Sequence, residues 1–464
     1  MDIYLYNTLT GGRDLFTPIK SGKVSMYHCG PTVYGYAHIG NLRAYLFADT
    51  VRRMFEYNNF KVNQVLNITD IGHLANDTDD GEDKMTKALL AAGKPLTLDA
   101  LKEHADFYTE QYLHDLTELN IQKPHHLPKA SEHIKEDISL IKNLEKKGFA
   151  YTISSGVYFD TSKDEDYGKL GKVSMTSDDD AQSRIGVNSE KRNPKDFCLW
   201  KFDDSIGWES PWGQGFPGWH LECSAMSMKY LGETFDIHTG GIDHIPVHHN
   251  NEIAQSESAT GKPFSHFWMH GAFVNIDGGK IAKSVGNTYY LKDLVSKDIS
   301  PLAYRYWILT AHYRTLVNFT EESVRGAQTA YERLKAAVRE LGSENGGTID
   351  IGYQAVFHEA INDDLNTAKA LATTWELIKD AEVTKENKRA TILDFDRVLG
   401  LKLKEASEEV REQISEEVML LLEQRNEARK VNDWKASDDI RAEIESKGYE
   451  VKDTDTGTKV IPKR

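Results

Sequence analysis

Apolar and polar positions near the start of the chain predict a strand, a helix and a second strand in close succession. Val24 to Cys29 is a short apolar run, broken at Gly30-Pro31. Leu42, Leu46, Val51 and Phe55 then fall roughly at helical spacing, with Asn41 placed to cap the helix. Lys61 to Ile68 is strand-like again. Strand, loop, helix and strand in so short a stretch form a βαβ unit, which predicts a parallel sheet. Such sheets bind ligands at the carboxyl ends of their strands. Cys29, His38 and Thr69 fall there.

Residues 1 to 22 read as a strand and turn feeding this unit. Helical patterns run through Leu98 to Leu119 and Ser131 to Lys147, and Tyr151 to Leu170 reads as strands and turns. Two stretches read as solvated loops: the acidic run Asp77 to Asp83, and Asp178 to Asp180 with Gln182-Ser183. Phe235 to Gly241 is a strand ending in glycines, where backbone can approach a ligand closely. Beyond Ser300 the chain turns helical, starting with a serine cap and a proline at the first helical position. Val324, Ala327, Tyr331, Leu334, Val338 and Leu341 form one apolar stripe that Gly342 ends, the pattern of plain bundle packing. A second helical stretch follows a Gly-rich loop at 343 to 352, and Glu405 to Glu417 is acidic and helical.

Composition adds limits. At 464 residues the length suggests about three domains. The net charge of −16 argues mildly against a general nucleic-acid binder, although phosphate contacts are local and a basic patch suffices. From Gln424 to Arg464, ten Lys and Arg face nine Asp and Glu, so this end departs from the acidic average and reads as a separate module. Three cysteines argue against a disulfide framework and for a reducing, cytoplasmic setting. No apolar run approaches a membrane span, and the first residues lack the basic head and apolar centre of a signal peptide.

Several residues carry candidate chemistry. His38 and Asn41 stand at the mouth of the first helix, whose unpaired N–H groups and partial positive charge suit phosphate. Read alone, His38-Ile39-Gly40-Asn41 is an ordinary capped loop. Far downstream, Gly278-Gly279 precedes Lys280-Ile281-Ala282-Lys283-Ser284, which alone is surface charge. His248 and Glu252 are four apart and share a helical face; there is no Cys-x-x-Cys, and on spacing such a pair is an ordinary surface pair.

Together, His38 to Asn41 and Lys280 to Ser284 resemble the paired HIGH and KMSKS signatures of class I aminoacyl-tRNA synthetases. Cys29-Gly-Pro-Thr-Val-Tyr34 narrows the resemblance to the cysteinyl-tRNA synthetases, over nearly the whole chain. The resemblance implies an α/β fold: a Rossmann-like parallel-sheet catalytic domain with an α/β insertion, a helical bundle and a small C-terminal module. The expected boundaries are 1–121 and 201–299 for the two catalytic halves, 122–200 for the insertion, 300–410 for the bundle and 411–464 for an anticodon-binding module.

It further implies activation of cysteine by ATP with Mg²⁺ and transfer to tRNA-Cys. Gly30, Thr32, His38, Asn41, Gly240, Gly241, Lys280 and Lys283 would bind ATP. Of these, His38, Asn41, Lys280 and Lys283 would be the catalytic set: His38 and Asn41 would hold the triphosphate, and Lys280 and Lys283 would stabilise charge on the leaving pyrophosphate from a loop left mobile by Gly278 and Gly279. Cys29, Thr69, Trp219 and Asp243 would hold cysteine, with Asp243 on its amino group. Cys29, Cys223, His248 and Glu252 would bind one Zn²⁺, leaving Cys198 as a small core residue. Two sulfurs, one nitrogen and one oxygen suit zinc, and a soft thiolate ligates it where a serine hydroxyl does not. Arg425, Arg429 and Lys430 would form one basic face, followed by Trp434 and Arg441, with Arg425, Arg429, Trp434 and Arg441 contacting tRNA. A monomer is expected.

The chain departs from the common family pattern at Gly72-His73, where many members carry two Asp residues, and at Ile281-Ala282, which stand in place of Met and Ser and remove no charge. Two rival readings are a ligase passing cysteine to an amino sugar, which would have no use for the segment after Gln424, and a non-catalytic RNA-binding relative, which would not need His38, Asn41, Lys280 and Lys283.

Overall fold

The computed structural model describes residues 1–71, 84–172, 188–280, 288–342, 346–405, 415–454 and 457–462. Gly72-His73, the acidic run to Asp83, the 178–183 loop, Ile281-Ala282, Lys283 and Ser284 lie outside them, as does the side chain of Lys280. The chain divides into two compact units. The larger comprises residues 1–331, 352–374 and 397–401; the smaller comprises 332–351, 375–396 and 402–464.

The larger unit is built on a four-stranded parallel sheet in the order Ser265–Gly271, Phe235–Gly241, Lys23–His28, Lys61–Leu66. Alternate residues would face water if one side were open, but Met26, Tyr27 and His28 are buried in succession, as are Val65 and Leu66. That continuous burial is the signature of a sheet covered on both faces. His28 pairs with Leu66 on one side and with Thr239 on the other. The chain reverses direction across the sheet between Lys23–His28 and Phe235–Gly241, and this switch point opens a crevice at the strands' carboxyl ends.

The helix Ile39–Tyr57 crosses from the first strand to its neighbour. Its cap is His38, not Asn41. His38 Nδ1 accepts from the Asn41 amide at 3.2 Å, and Asn41 Oδ1 accepts from the His38 amide at 3.2 Å. This reciprocal capping box places Asn41 at the third helical position, because two side chains must exchange bonds across one turn. Further along, buried Asp49 accepts from Arg53 Nε at 2.8 Å and Arg305 Nη2 at 2.7 Å, while Arg305 also donates to the Leu119 and Leu399 carbonyls. The Asp49 network thereby ties this helix to three distant chain segments of the same unit.

Between the sheet halves sits a four-stranded antiparallel sheet of Ala150–Ile153, Gly156–Phe159, Phe197–Phe202 and Gly215–Pro217. Its last strand lies beyond residue 200. Val157, Phe159, Leu199 and Trp200 pack there with Leu140, Ile141 and Leu144 of the helix Ile134–Lys146. Cys198 is buried among Tyr151 and Tyr158, as a core residue should be. Val274–Ile276 and Gly279–Lys280 form a hairpin, with Asp277 and Gly278 at positive φ of 47° and 80°. The two glycines therefore do not make a loose loop: Gly278 sits in a tight turn that wants left-handed backbone, and Gly279 is in the strand.

In the helical region, Val324, Ala327, Tyr331, Leu334 and Val338 are buried along Glu321–Glu340. In the smaller unit, helices Glu416–Lys430 and Trp434–Ser446 join the hairpin of Tyr449–Thr454 and Gly457–Pro462. Val418, Leu421, Ile444, Val451 and Val460 make their shared core. Arg425 is buried as well, donating from Nη1 to the Thr458 hydroxyl at 2.6 Å. It therefore does not share an exposed basic face with Arg429 and Lys430, because at its place on the helix it points into the hairpin. No helix among the described residues is long and apolar enough to cross a membrane.

Candidate active site at the carboxyl ends of the parallel strands

A cleft of about 370 Å³ opens at the switch point. Its floor and walls include Cys29, Gly30, Thr32, His38, Asn41, Thr69, Trp219, Cys223, Gly240, Gly241, Asp243 and His248. Residues from four distant stretches of sequence thus meet where the strands end. Two glycines are required by contact. A Cβ on Gly30 would lie 1.6 Å from the Asn67 carbonyl oxygen, and one on Gly240 would lie 2.6 Å from the His249 ring. The Gly30 amide also donates to Asn67 Oδ1 at 2.7 Å, so the first two strand ends are locked together.

At the inner end, Cys29, Cys223, His248 and Glu252 place one ligand atom each within 4.8 Å of all the others. All four are buried. His248 and Glu252 come from consecutive turns of the helix His248–Thr260, and Cys223 from the helix Trp219–Leu231. Cys223 Sγ lies 3.6 Å from His248 Nε2, Cys29 Sγ 3.6 Å from Glu252 Oε1, and His248 Nε2 3.0 Å from the same carboxylate oxygen. Two sulfurs, one imidazole and one carboxylate at this spacing fit a tetrahedral zinc ion. His249 is also close, with Nε2 3.4 Å from Cys29 Sγ, but its Nδ1 is engaged with His270 Nε2 at 2.8 Å. Cys29 can also group with His244, His248 and His249, or with His238, His249 and Glu252; the Cys29–Cys223–His248–Glu252 set alone offers two sulfurs.

The electrostatics follow from burial and these neighbours. Burial alone would raise the Glu252 carboxyl, but His238 and His248 hold it well below the usual carboxylate range. Burial pulls His248 down, yet the Glu252 carboxylate and the Cys223 sulfur outweigh it and carry the imidazole up to about 10. The Cys223 thiol is lowered to about 6 by its hydrogen bond with Cys29, against its burial, with His248 adding to the fall. Burial pushes the Cys29 thiol up. Binding a cation here would therefore displace protons held by His248 and Cys29.

Some residues that matter were not visible in the sequence. His238 Nε2 lies 2.8 Å from Glu252 Oε2 and fixes that carboxylate from the strand behind it. Thr69 donates to Glu222 Oε2 at 3.0 Å and accepts from Asn67 Nδ2 at 3.2 Å, so its hydroxyl is oriented from both sides. Burial drives the Glu222 carboxyl well above its ordinary value, and its Oε1 has no hydrogen-bond partner among the described residues. The available signals were the position of His238 on the cleft strand, two residues before Gly240, and the adjacency of Glu222 to Cys223. Trp219 lies against His248, ring centroids 4.2 Å apart, and forms one wall. The side chains of Lys280 and Lys283 lie outside the described residues.

The fold is similar to a Mycobacterium tuberculosis methionyl-tRNA synthetase in complex with methionyl-adenylate, with a TM-score of 0.55 at 14% identity, covering 82% of this chain and 90% of that one. It is also similar to the LeuRS of Agrobacterium radiobacter K84 in a ternary complex with tRNA and LeuAMS, with a TM-score of 0.61 at 11% identity and 85% of each chain. The fold is that of the class I aminoacyl-tRNA synthetases. Residues 15–329 match the family model described as the tRNA synthetases class I (C) catalytic domain, 356–404 match a DALR domain, and 411–460 match the cysteinyl-tRNA ligase anticodon binding domain. Cysteine–tRNA ligase 1 of Burkholderia lata is 44% identical, across 99% of this chain and 97% of the relative. The cysteine–tRNA ligase of Treponema denticola is 40% identical across 98% of both. The chain belongs to the cysteine–tRNA ligase family.

Proposed function

We propose a residue-level course for the ligation that defines this family: cysteine is activated by ATP, and the cysteinyl group then passes to tRNA-Cys. In the first step a carboxylate oxygen of cysteine attacks the α-phosphorus of ATP. The bond to the bridging oxygen breaks and pyrophosphate leaves. In the second, a hydroxyl of the terminal ribose attacks the carbonyl carbon and AMP leaves. Neither step needs a strong acid or base; both need alignment and charge stabilisation.

His38 and Asn41 hold the triphosphate at the first turn of their helix, where the positive end of the helix dipole favours phosphate. Gly30, Thr32, Gly240 and Gly241 line the cleft and contact the nucleotide. Lys280 and Lys283 neutralise the departing pyrophosphate. Thr69, Trp219 and Asp243 orient cysteine, with Asp243 on the amino group. Cys29, Cys223, His248 and Glu252 hold zinc, which when bound supplies a soft cation that a thiolate ligates and a hydroxyl does not. Residues 411–464 read the anticodon, with Arg429, Trp434 and Arg441 as contacts. Trp434 is 57% exposed and carries the Arg429 guanidinium 5.9 Å from its ring centre, a pairing suited to stacking on an unpaired base. The reading extends to a monomer in a reducing cytoplasm; three buried cysteines outside any disulfide support the second half.

The observation that carries the proposal is the meeting of the two-sulfur quartet with the His38–Asn41 capping box in one cleft. The test is cysteine-dependent ATP–pyrophosphate exchange and charging of a transcript with a GCA anticodon, with cysteine and serine side by side and bound metal measured by elemental analysis. The expected result is about one zinc per chain, exchange with cysteine only, and charging of that transcript. A preparation that is active without bound zinc would overturn the metal assignment.

A further inference from the structure

Outside the quartet and the capping box, a group of aromatic side chains stands on the rim of the cleft with no task yet assigned. Tyr36 precedes the helix Ile39–Tyr57, and Tyr108 lies on the helix Leu98–Glu118. Tyr290 caps the helix Leu291–Val295. The Tyr36 ring meets Tyr108 at 5.2 Å and 89°, and Tyr290 at 5.9 Å and 63°. All three rings are half-buried. Exposed Lys292 lays its ammonium over Tyr36, 3.8 Å from the ring centre, and within 5.6 Å of the Tyr290 centre. Phe107, 48% exposed, continues the aromatic surface outward from Tyr108.

The placement of this group is informative. Tyr36 lines the cleft, whereas Tyr108, Tyr290 and Lys292 do not. The surface therefore begins at the cleft's edge and runs out of it. A small substrate enclosed by the cleft has no reach onto Tyr108 or Lys292. A ligand entering from outside, with a flat ring and a phosphodiester beside it, does. Half-buried rings held edge-on by neighbours keep a face available for stacking at little entropic cost, and base stacking is sequence-tolerant. An exposed ammonium over a ring is held weakly, so a base can take its place and leave the cation free to meet the adjacent phosphate.

We propose that Tyr36, backed by Tyr108 and Tyr290, is the stacking platform for the unpaired 3′-terminal nucleotides of the tRNA acceptor strand, with Lys292 on their backbone phosphate. This rests on the tRNA-charging reading above. The platform would hold the strand end so that its last ribose reaches the activated carboxyl group in the cleft.

The test uses the full chain and Tyr36→Ala, Tyr108→Ala and Tyr36→Phe. Steady-state charging gives KM for a tRNA-Cys transcript; ATP–pyrophosphate exchange gives KM for ATP. Competition by an uncharged transcript lacking its last nucleotide, against one with the 3′ end intact, isolates the strand end. The expected result is a roughly 10-fold rise in the tRNA KM for each alanine variant, restored by Tyr36→Phe. The wild type should favour the intact competitor, and Tyr36→Ala should lose that preference. A raised KM for ATP in exchange would assign the rings to ATP and overturn the inference. So would an unchanged preference for the intact competitor. If the wild type itself shows no cysteine-dependent exchange, the functional reading has failed instead, and the two failures are told apart.

Discussion

At the inner end of the cleft, Cys29, Cys223, His248 and Glu252 are buried, and each touches at least one of the others. Glu252 is held from two sides by imidazoles, and the strand ends beneath it are fixed by the contact of Gly30 with Asn67. In the C-terminal module, by contrast, the ion pairs lie on the surface: Lys430 with Glu427, and Arg441 with Glu445. Trp434 projects into solvent. The difference teaches how two recognition problems are met. On the proposed reading, a single sulfur atom would be sensed by a closely packed site, because burial makes every unpaired charge expensive. On the same reading, a flexible nucleotide would be met by groups that can adjust, since exposed pairs hold one another weakly.

That contrast can be tested by substitutions of falling effect. The largest is expected for Cys223→Ser. Bound metal should be lost, and kcat/KM for cysteine in pyrophosphate exchange should fall by about 100-fold or more. Retention of both would remove the sulfur-sensing half of the comparison. His238→Ala should act on the same site from one shell further out, weakening metal retention by roughly 10- to 100-fold in a chelator competition.

Asp49→Asn sharpens the point about buried charge away from the cleft. It leaves the Arg53 and Arg305 guanidinium groups facing a neutral amide, and should cost about 3–5 kcal/mol in urea unfolding. Burial would raise the Asp49 carboxyl, but the two arginines hold it below the ordinary value. A depressed carboxyl stabilises above its unfolded pKa of about 4, and that stabilisation is lost as pH falls through the lower folded value. The wild type should therefore lose this contribution below about pH 4, while the variant shows a flatter acid limb.

Trp434→Ala should raise the tRNA KM by roughly 10-fold with exchange unaltered, matching one lost stacking contact. The smallest effect belongs to Lys430→Ala, whose exposed pair with Glu427 should leave the urea midpoint where it was. A large loss of stability there would erase the distinction between the two regions.

The same contrast explains what could be read from the chain beforehand. The βαβ unit was legible because its strands are buried on both faces and its helix keeps one apolar side, so local pattern and tertiary environment agree. His38, Asn41, Cys29, Cys223, His248 and Glu252 were placed through the resemblance of whole segments rather than by spacing. The cap was misassigned because Asn is the usual choice and His38 is not, although the reciprocal pair satisfies both. Arg425 looked like surface charge because its partner in the hairpin, Thr458, comes 33 positions later. His238, Glu222 and Asn67 went unseen for the same reason: each acts through a partner supplied by another strand or helix. The hairpin turn at Asp277-Gly278 reads as flexibility in sequence, since glycine serves a tight turn and a loose loop alike.

Cys29 and Glu252 are 223 positions apart in the chain, yet their side chains meet. During translation the thiol of Cys29 leaves the ribosome long before its carboxylate neighbour has been made. At roughly 5–20 residues per second, that interval is on the order of ten to forty-five seconds. Through much of it the sulfur lacks the two helices that carry Cys223 and Glu252 and the two later strands of the sheet, and is open to oxidants and stray metal. Newly made copies should therefore be the most vulnerable to oxidative stress, so that a shortfall in charged tRNA after such stress falls first on cells that are synthesising this enzyme fastest.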